Sequence, residues 1–190
     1  FQSTEAYHGA MEDEEVTGPV FSATRQAGFT VVAWLDAGTR NFYTVKKPVK
    51  RPEDLRGLKI RVQQSPTNIE MMRLLGGSAP MGFGDVYTAL QSGVIDGAEN
   101  NEMALTDNGH GDVCRYYSYD MHQMVPDLLI GNYGFLESLT EEERAVFEEG
   151  FEELERVQQE EWGKAVEAAR EKAEKEQKVT FLYPDREPFA

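Results

Sequence analysis

The chain has 190 residues, of which 40% are hydrophobic, so it can bury a core as one large domain or as two small lobes. Its formal net charge of −15 argues against nucleic acid or an anionic membrane as a partner, because such proteins neutralise phosphates with clustered Lys and Arg. No apolar run approaches the length of a membrane span, and a single cysteine, Cys114, excludes an intrachain disulfide and a Cys-based metal cluster.

The first third of the chain predicts a helix followed by three strands. Residues 16–27 suit a short helix that Gly28 ends. Residues 30–34 form a β-branched and aromatic run typical of a buried strand, and residues 41–45 predict a second strand. Residues 58–62 alternate as a third strand should, which places Arg61 near its carboxyl end.

The next segment predicts strands that alternate with helices. Ser65 and Pro66 begin a helix that Gly76 ends, and residues 85–92 predict a second helix that Gly93 ends. Short extended pieces are expected at residues 79–81 and from Val94-Ile95 onward. Such alternation implies parallel pairing, with ligands beyond the carboxyl ends of the strands.

The C-terminal part predicts one long amphipathic helix. Thr140 and Glu143 form a capping box, and apolar residues recur at helical spacing as far as Ala169. We interpret the charged face as solvated, with a coiled coil as the alternative. Residues 179–183 predict a final strand before an extended end.

Two stretches carry a more specific signal. The first is GLKIRV at residues 57–62, and the second is YTALQSGVIDG at residues 87–97. Together they resemble the solute-binding proteins of the tripartite ATP-independent periplasmic (TRAP) transporters, the DctP-type family, over about residues 27–189. The resemblance implies an α/β, two-lobe fold like that of type II periplasmic binding proteins, with a long C-terminal helix. It also implies that the first lobe is incomplete here, because family members are longer.

The same resemblance suggests a division of the chain. Residues 1–38 are expected to be a remnant of the first lobe, and residues 39–124 the second lobe with the main ligand-binding motif. Residues 125–190 are expected to hold a crossover strand, the long helix and the C-terminal extended segment.

The resemblance implies that Arg61 makes the principal salt bridge to a ligand carboxylate. A guanidinium suits this role because its planar fork of donors matches both carboxylate oxygens. Arg40 matches a second arginine of the family, Asn100 an amide that contacts the ligand, and Phe83 a pocket aromatic. Arg61 could instead be an ordinary strand arginine at the surface, and Phe83 could be plain core.

A finer resemblance concerns the ligand. Residues 99–101, with His110 and His122, resemble the branch of the family that takes sugar acids such as uronates or aldonates. Gln63, Asn101 and His122 would then supply hydrogen bonds along the polyol, although the histidines could equally be structural.

We therefore expect a periplasmic, non-enzymatic receptor that binds a small organic acid and delivers it to the TRAP membrane subunits. It is expected to use no cofactor or metal, to bind no nucleic acid, not to span the membrane itself, and to lack its signal peptide in this chain. A receptor for a C4-dicarboxylate and a fragment that binds nothing remain alternatives. An enzyme is not favoured, because neither a Gly-x-Ser-x-Gly elbow nor a metal-ligand run occurs.

Overall fold

Helices and strands alternate along much of the chain in the computed structural model, which describes Phe1 and residues 3–189. In chain order the elements are α1 (Thr4–Glu12), α2 (Glu14–Ser22), β1 (Phe29–Leu35), β2 (Thr39–Thr44), β3 (Ile60–Val62), α3 (Pro66–Leu75), β4 (Ser78–Pro80), α4 (Val86–Ser92), β5 (Gly97–Asn100), α5 (Met103–Thr106), β6 (Tyr116–Met124), β7 (Asp127–Asn132), α6 (Tyr133–Ser138), α7 (Glu141–Lys175) and β8 (Thr180–Leu182). Among the described residues, no helix combines the length and the apolar character needed to cross a bilayer.

The chain forms two compact units, the first of which combines residues 1–38 with residues 124–164. Its strands β1 and β7 pair antiparallel, with Phe29 opposite Asn132. Helix α7 contacts β1 through a polar side chain: the Glu155 carboxylate accepts a hydrogen bond from the backbone N–H of Trp34 at 2.8 Å. The division of the chain into lobes remains a prediction.

The second unit combines residues 39–123 with residues 165–190 and holds a six-stranded sheet in the order β4-β3-β5-β2-β6-β8. Strand β3 runs parallel to both β4 and β5, and β6 runs parallel to β8. The expected parallel pairing is confirmed for β3, β4 and β5, the strands joined by α3 and α4, whereas β2 pairs antiparallel with β5.

Both faces of this sheet are covered by apolar side chains. Tyr43 and Ala98 pack into one core cluster, whereas Phe42 and Ile60 pack into another. Neighbouring residues of a strand point to opposite faces, which explains why Phe42 and Tyr43 belong to different clusters. Each fully buried large side chain contributes roughly 1.5–3 kcal/mol to folding. Arg61 follows Ile60, so it emerges on the face opposite to that residue.

Most local predictions are confirmed. The helix α3 begins at Pro66 and ends before Gly76, and the capping box is present, with Thr140 N–H donating to the Glu143 carboxylate at 2.9 Å. The strand predicted after α4 is present, but its predicted start at Val94-Ile95 is wrong, because β5 begins only at Gly97. The backbone N–H groups of both residues donate instead to the Ala89 carbonyl and so complete the end of α4.

Candidate functional site

Most of the predicted ligand residues lie at one edge of the six-stranded sheet. Arg61 lies on β3, Asn100 ends β5, and Asn101 follows it. Strands β3 and β5 are parallel, while β2 runs antiparallel to β5 with Asn41 opposite Asn100. Arg40, which precedes Asn41, therefore lies at this same edge, where the carboxyl ends of β3 and β5 meet the start of β2.

Arg61 is a buried cation held by neutral groups. Its residue is only 3% exposed, and its Nε and Nη2 groups donate to the Met81 carbonyl at 3.1 and 3.0 Å. The Cζ atom lies 5.4 Å from the centre of the Phe83 ring, a cation–π contact. No Asp or Glu among the described residues forms an ion pair with it.

The electrostatics of Arg61 suit an anionic ligand. Burial is the main reason why the pKa of Arg61 lies below its ordinary value, yet a guanidinium stays protonated at any working pH. A buried charge without a counter-ion is costly to the folded protein. A bound acid would supply the missing negative charge at this position.

Arg40, in contrast, is already paired. Its Nη2 group donates to Glu99 Oε1 at 2.9 Å and its Nε group to Glu99 Oε2 at 2.5 Å, a bidentate ion pair with a fully buried carboxylate. Its Nη1 group lies 3.4 Å from Asn100 Oδ1. Burial alone would raise the pKa of Glu99, but the interactions with His122 and Arg40 outweigh it and lower that pKa. The contact of Arg40 with a ligand stays a prediction, and the arginine would make it with its remaining Nη1 N–H group.

His122 extends this buried charge network. Its Nδ1 atom lies 2.5 Å from Asp120 Oδ2, its Nε2 atom lies 3.7 Å from Glu99 Oε2, and its ring stacks on Phe42. Burial alone would lower the pKa of His122, but Asp120 and Glu99 raise it to about 9. A protonated His122 together with Arg40 balances the two carboxylates, which leaves the charge of Arg61 unbalanced as far as the described residues of this edge go.

We predict that the protein loses stability as the pH rises from about neutral through the pKa of His122. The ordinary histidine pKa is 6.5 and the folded value is about 9, so the folded state binds this proton more tightly. The stabilisation that this proton gives to the folded state is therefore complete below about pH 6.5 and is lost as the pH passes about 9. Urea unfolding across this range measures the effect, and His122→Gln should remove the pH dependence. An unfolding free energy that stays constant across the range in the wild type would contradict the assignment.

The three predicted amide side chains already accept hydrogen bonds within the chain. Gln63 is exposed and accepts a hydrogen bond from the Asn68 amide at 2.9 Å. Asn101 is half-buried, and its Oδ1 accepts from the backbone N–H of Met103 at 3.2 Å. Asn100 is half-buried as well, and its Oδ1 accepts from the backbone N–H of Asn101 at 2.9 Å. Phe83 is 40% exposed, which leaves its ring accessible beside Arg61.

Glu99 and Asp120 hold the two basic side chains in place, but the sequence analysis named Glu99 only within the stretch 99–101 and did not name Asp120. Glu99 is a carboxylate within the buried strand β5, and a charged residue in such a strand is itself a signal of a partner. Asp120 gave no comparable signal, since it lies in a run of mixed polar and aromatic residues. Its role depends on the position of β6 beside β2.

Comparison with known proteins gives a family match over the whole chain. Residues 1–190 match the model of DctP, the bacterial extracellular solute-binding protein family 7. An uncharacterised protein of Salmonella typhimurium, YiiZ, is 45% identical over 190 residues, which are the whole of this chain and 58% of that relative.

Solved structures agree with this match. A TRAP periplasmic solute-binding protein from Anaerococcus prevotii with bound D-glucuronate is 66% identical, with a TM-score of 0.95, and the match covers all of this chain and 61% of that one. A second one, from Xanthobacter autotrophicus with bound β-D-galacturonate, is 32% identical, with a TM-score of 0.93, and the match covers all of this chain and 63% of that one. The chain thus spans about three-fifths of the length of these relatives.

Proposed function

Since the chain belongs to DctP, the bacterial extracellular solute-binding proteins of family 7, we propose that it is the uronate-binding part of a TRAP transporter receptor. This family and the matched structures are solute-binding receptors and not enzymes. The proposed task is to bind a sugar acid reversibly in the periplasm and to deliver it to the membrane subunits of the transporter.

The observation that carries the proposal is the state of Arg61. Its guanidinium is buried, fixed by the Met81 carbonyl and the Phe83 ring, and lacks a carboxylate partner among the described residues. Its Nη1 group makes no hydrogen bond with them. One carboxylate of a ligand would use these free donors and remove the cost of the isolated charge.

The polar surroundings favour a sugar acid over a simple dicarboxylate. Arg40 is neutralised by Glu99, so Arg61 is the single arginine of this edge with an unpaired charge, as far as the described residues go. A dicarboxylate has two anionic ends, whereas a uronate has one carboxylate and several hydroxyl groups. Asn100, Asn101 and Gln63 are amides that both donate and accept, which suits such hydroxyl groups. Relatives that bind D-glucuronate and β-D-galacturonate support the same ligand class.

Thermal unfolding with a panel of acids tests the proposal. D-Glucuronate and D-galacturonate should raise the unfolding free energy by roughly 2.7 kcal/mol at a concentration of about 100 Kd, as expected for a ligand that binds only the folded state. D-Glucose, which lacks the carboxylate, is the matched control and should have no effect. Stabilisation by succinate alone would replace the uronate with a C4-dicarboxylate, and stabilisation by no acid would reject the receptor function of this chain.

A further inference from the structure

We propose that His110 is an additional ligand-binding residue, whose neutral imidazole donates a hydrogen bond from Nε2 to an oxygen of the acid held by Arg61. The inference rests on the proposed function and deepens it. It assigns to the ligand a second, uncharged contact beside the salt bridge.

The tautomer of His110 follows from its partner Tyr43. His110 lies in a short turn of 3₁₀ helix, residues His110–Asp112, and its Nδ1 atom is 2.8 Å from the hydroxyl oxygen of Tyr43. Tyr43 is fully buried, and within the described chain its hydroxyl has no other hydrogen-bond partner. A buried hydroxyl proton needs an acceptor, so Tyr43 donates to Nδ1, and the imidazole carries its own proton on Nε2.

His110 and Arg61 contact the same aromatic ring, that of Phe83. The His110 ring packs edge-to-face on Phe83, with ring centres 5.6 Å apart, and Phe83 is the same ring that lies 5.4 Å from Arg61 Cζ. Burial, together with the positive charge of Arg61, lowers the pKa of His110 to about 4. The imidazole is therefore neutral at physiological pH and adds a donor without placing a second cation beside Arg61.

The donor on Nε2 has no acceptor within the described residues. The contact with Tyr43 uses Nδ1, and Nε2 is not one of the fully enclosed side-chain atoms that lack a partner. This nitrogen therefore keeps some contact with solvent, although the residue as a whole is 1% exposed. A ligand oxygen would satisfy a donor that otherwise depends on water.

Calorimetric titration of D-glucuronate into four proteins tests the role of His110. Compared with wild type, His110→Leu should bind about tenfold more weakly or worse, because the donor is lost while the bulk is kept. In His110→Gln the amide nitrogen takes a position near Nε2, so affinity should stay within about threefold of wild type. Tyr43→Phe removes the hydroxyl that fixes the tautomer and should fall between these two variants. Nitrogen-15 spectra of the wild-type imidazole should show protonated Nε2 and a shift of that resonance when glucuronate binds.

The outcomes separate this inference from the proposed function. If the wild type binds glucuronate and His110→Leu binds it equally well, the contact is rejected and the receptor function stands. If the wild type binds no acid, both are rejected. If His110→Leu does not fold, the comparison of His110→Gln with Tyr43→Phe and the spectra decide, and a protonated Nδ1 or an unmoved Nε2 resonance overturns the inference.

Discussion

Replacing Arg61 with alanine is expected to weaken uronate binding by roughly 2–5 kcal/mol, the range for removing one member of a buried charge pair. This corresponds to an affinity about 30-fold to several thousand-fold lower, since about 1.4 kcal/mol is a factor of ten. The reason is that the ligand carboxylate would enter a desolvated position and find no counter-charge there. Isothermal titration calorimetry with D-glucuronate measures the loss directly.

Two control variants separate charge from geometry in this experiment. Arg61→Lys keeps the charge but not the planar fork of donors, so it should recover part of the affinity only. Arg73→Ala removes an arginine whose ion pair with Glu70 is exposed, and it should not change binding. The unfolding free energy of Arg61→Ala without ligand should stay close to that of wild type, because the lost hydrogen bonds to Met81 are offset by the removal of an isolated buried charge. Unaltered affinity in Arg61→Ala would reject this arginine as the anchor.

Replacing Glu99 with glutamine is expected to destabilise the folded protein by about 3–5 kcal/mol, as for other broken buried ion pairs. The glutamine amide occupies a similar volume, but it leaves Arg40 without its counter-charge and removes one of the two carboxylates around His122. The raised pKa of His122 should fall as well, because Glu99 is one of the groups that raise it. Urea unfolding measures the first effect, and titration of the His122 resonance measures the second.

A surface pair in the same unit provides the control for this prediction. Glu70→Gln breaks a similar contact to Arg73 in solvent, where such a pair contributes at most about 1 kcal/mol. The double variant Arg40→Met with Glu99→Leu replaces both charges by apolar groups and should recover much of the stability lost in Glu99→Gln. A loss in Glu99→Gln no larger than that in Glu70→Gln would mean that the buried pair has little structural importance.

Local sequence patterns were sufficient to predict many helices and strands of the fold. Pro66 and Gly76 bound α3 because proline presets the first helical turn and glycine ends a helix without side-chain strain. The capping box at Thr140 and Glu143 marked the start of α7. The Glu143 carboxylate accepts from the backbone N–H and the hydroxyl of Thr140, and the Thr140 hydroxyl accepts from the backbone N–H of Glu143. These interactions are local, so a single sequence contains all the information that they need.

Other elements were missed or misjudged because their signal is not local. The strand β6 was not predicted, because its mixture of polar and aromatic residues does not alternate, and the crossover strand expected within residues 125–190 had no bounds from local patterns. Val94 and Ile95 are apolar and β-branched, which favoured a strand. The structure uses Ile95 to fill the core beneath α4 instead, and apolar residues serve this purpose in a loop as well as in a strand.

The sequence alone determined the family resemblance, the position of Arg61 near the end of a buried strand, and the helices with clear caps. Only the tertiary structure decided which charges are paired. Arg40 and Glu99 are 59 residues apart and His110 is 67 residues from Tyr43, yet both pairs are in hydrogen-bond contact in the folded chain. The register of β2 against β5 and the placement of the turn at His110 set these distances, and a charge is neutralised by its neighbours in space. For this reason the sequence indicated Arg61 as the principal ligand-binding arginine and Arg40 as a second one, whereas the fold shows Arg40 paired with a carboxylate and Arg61 without an ion-pair partner among the described residues.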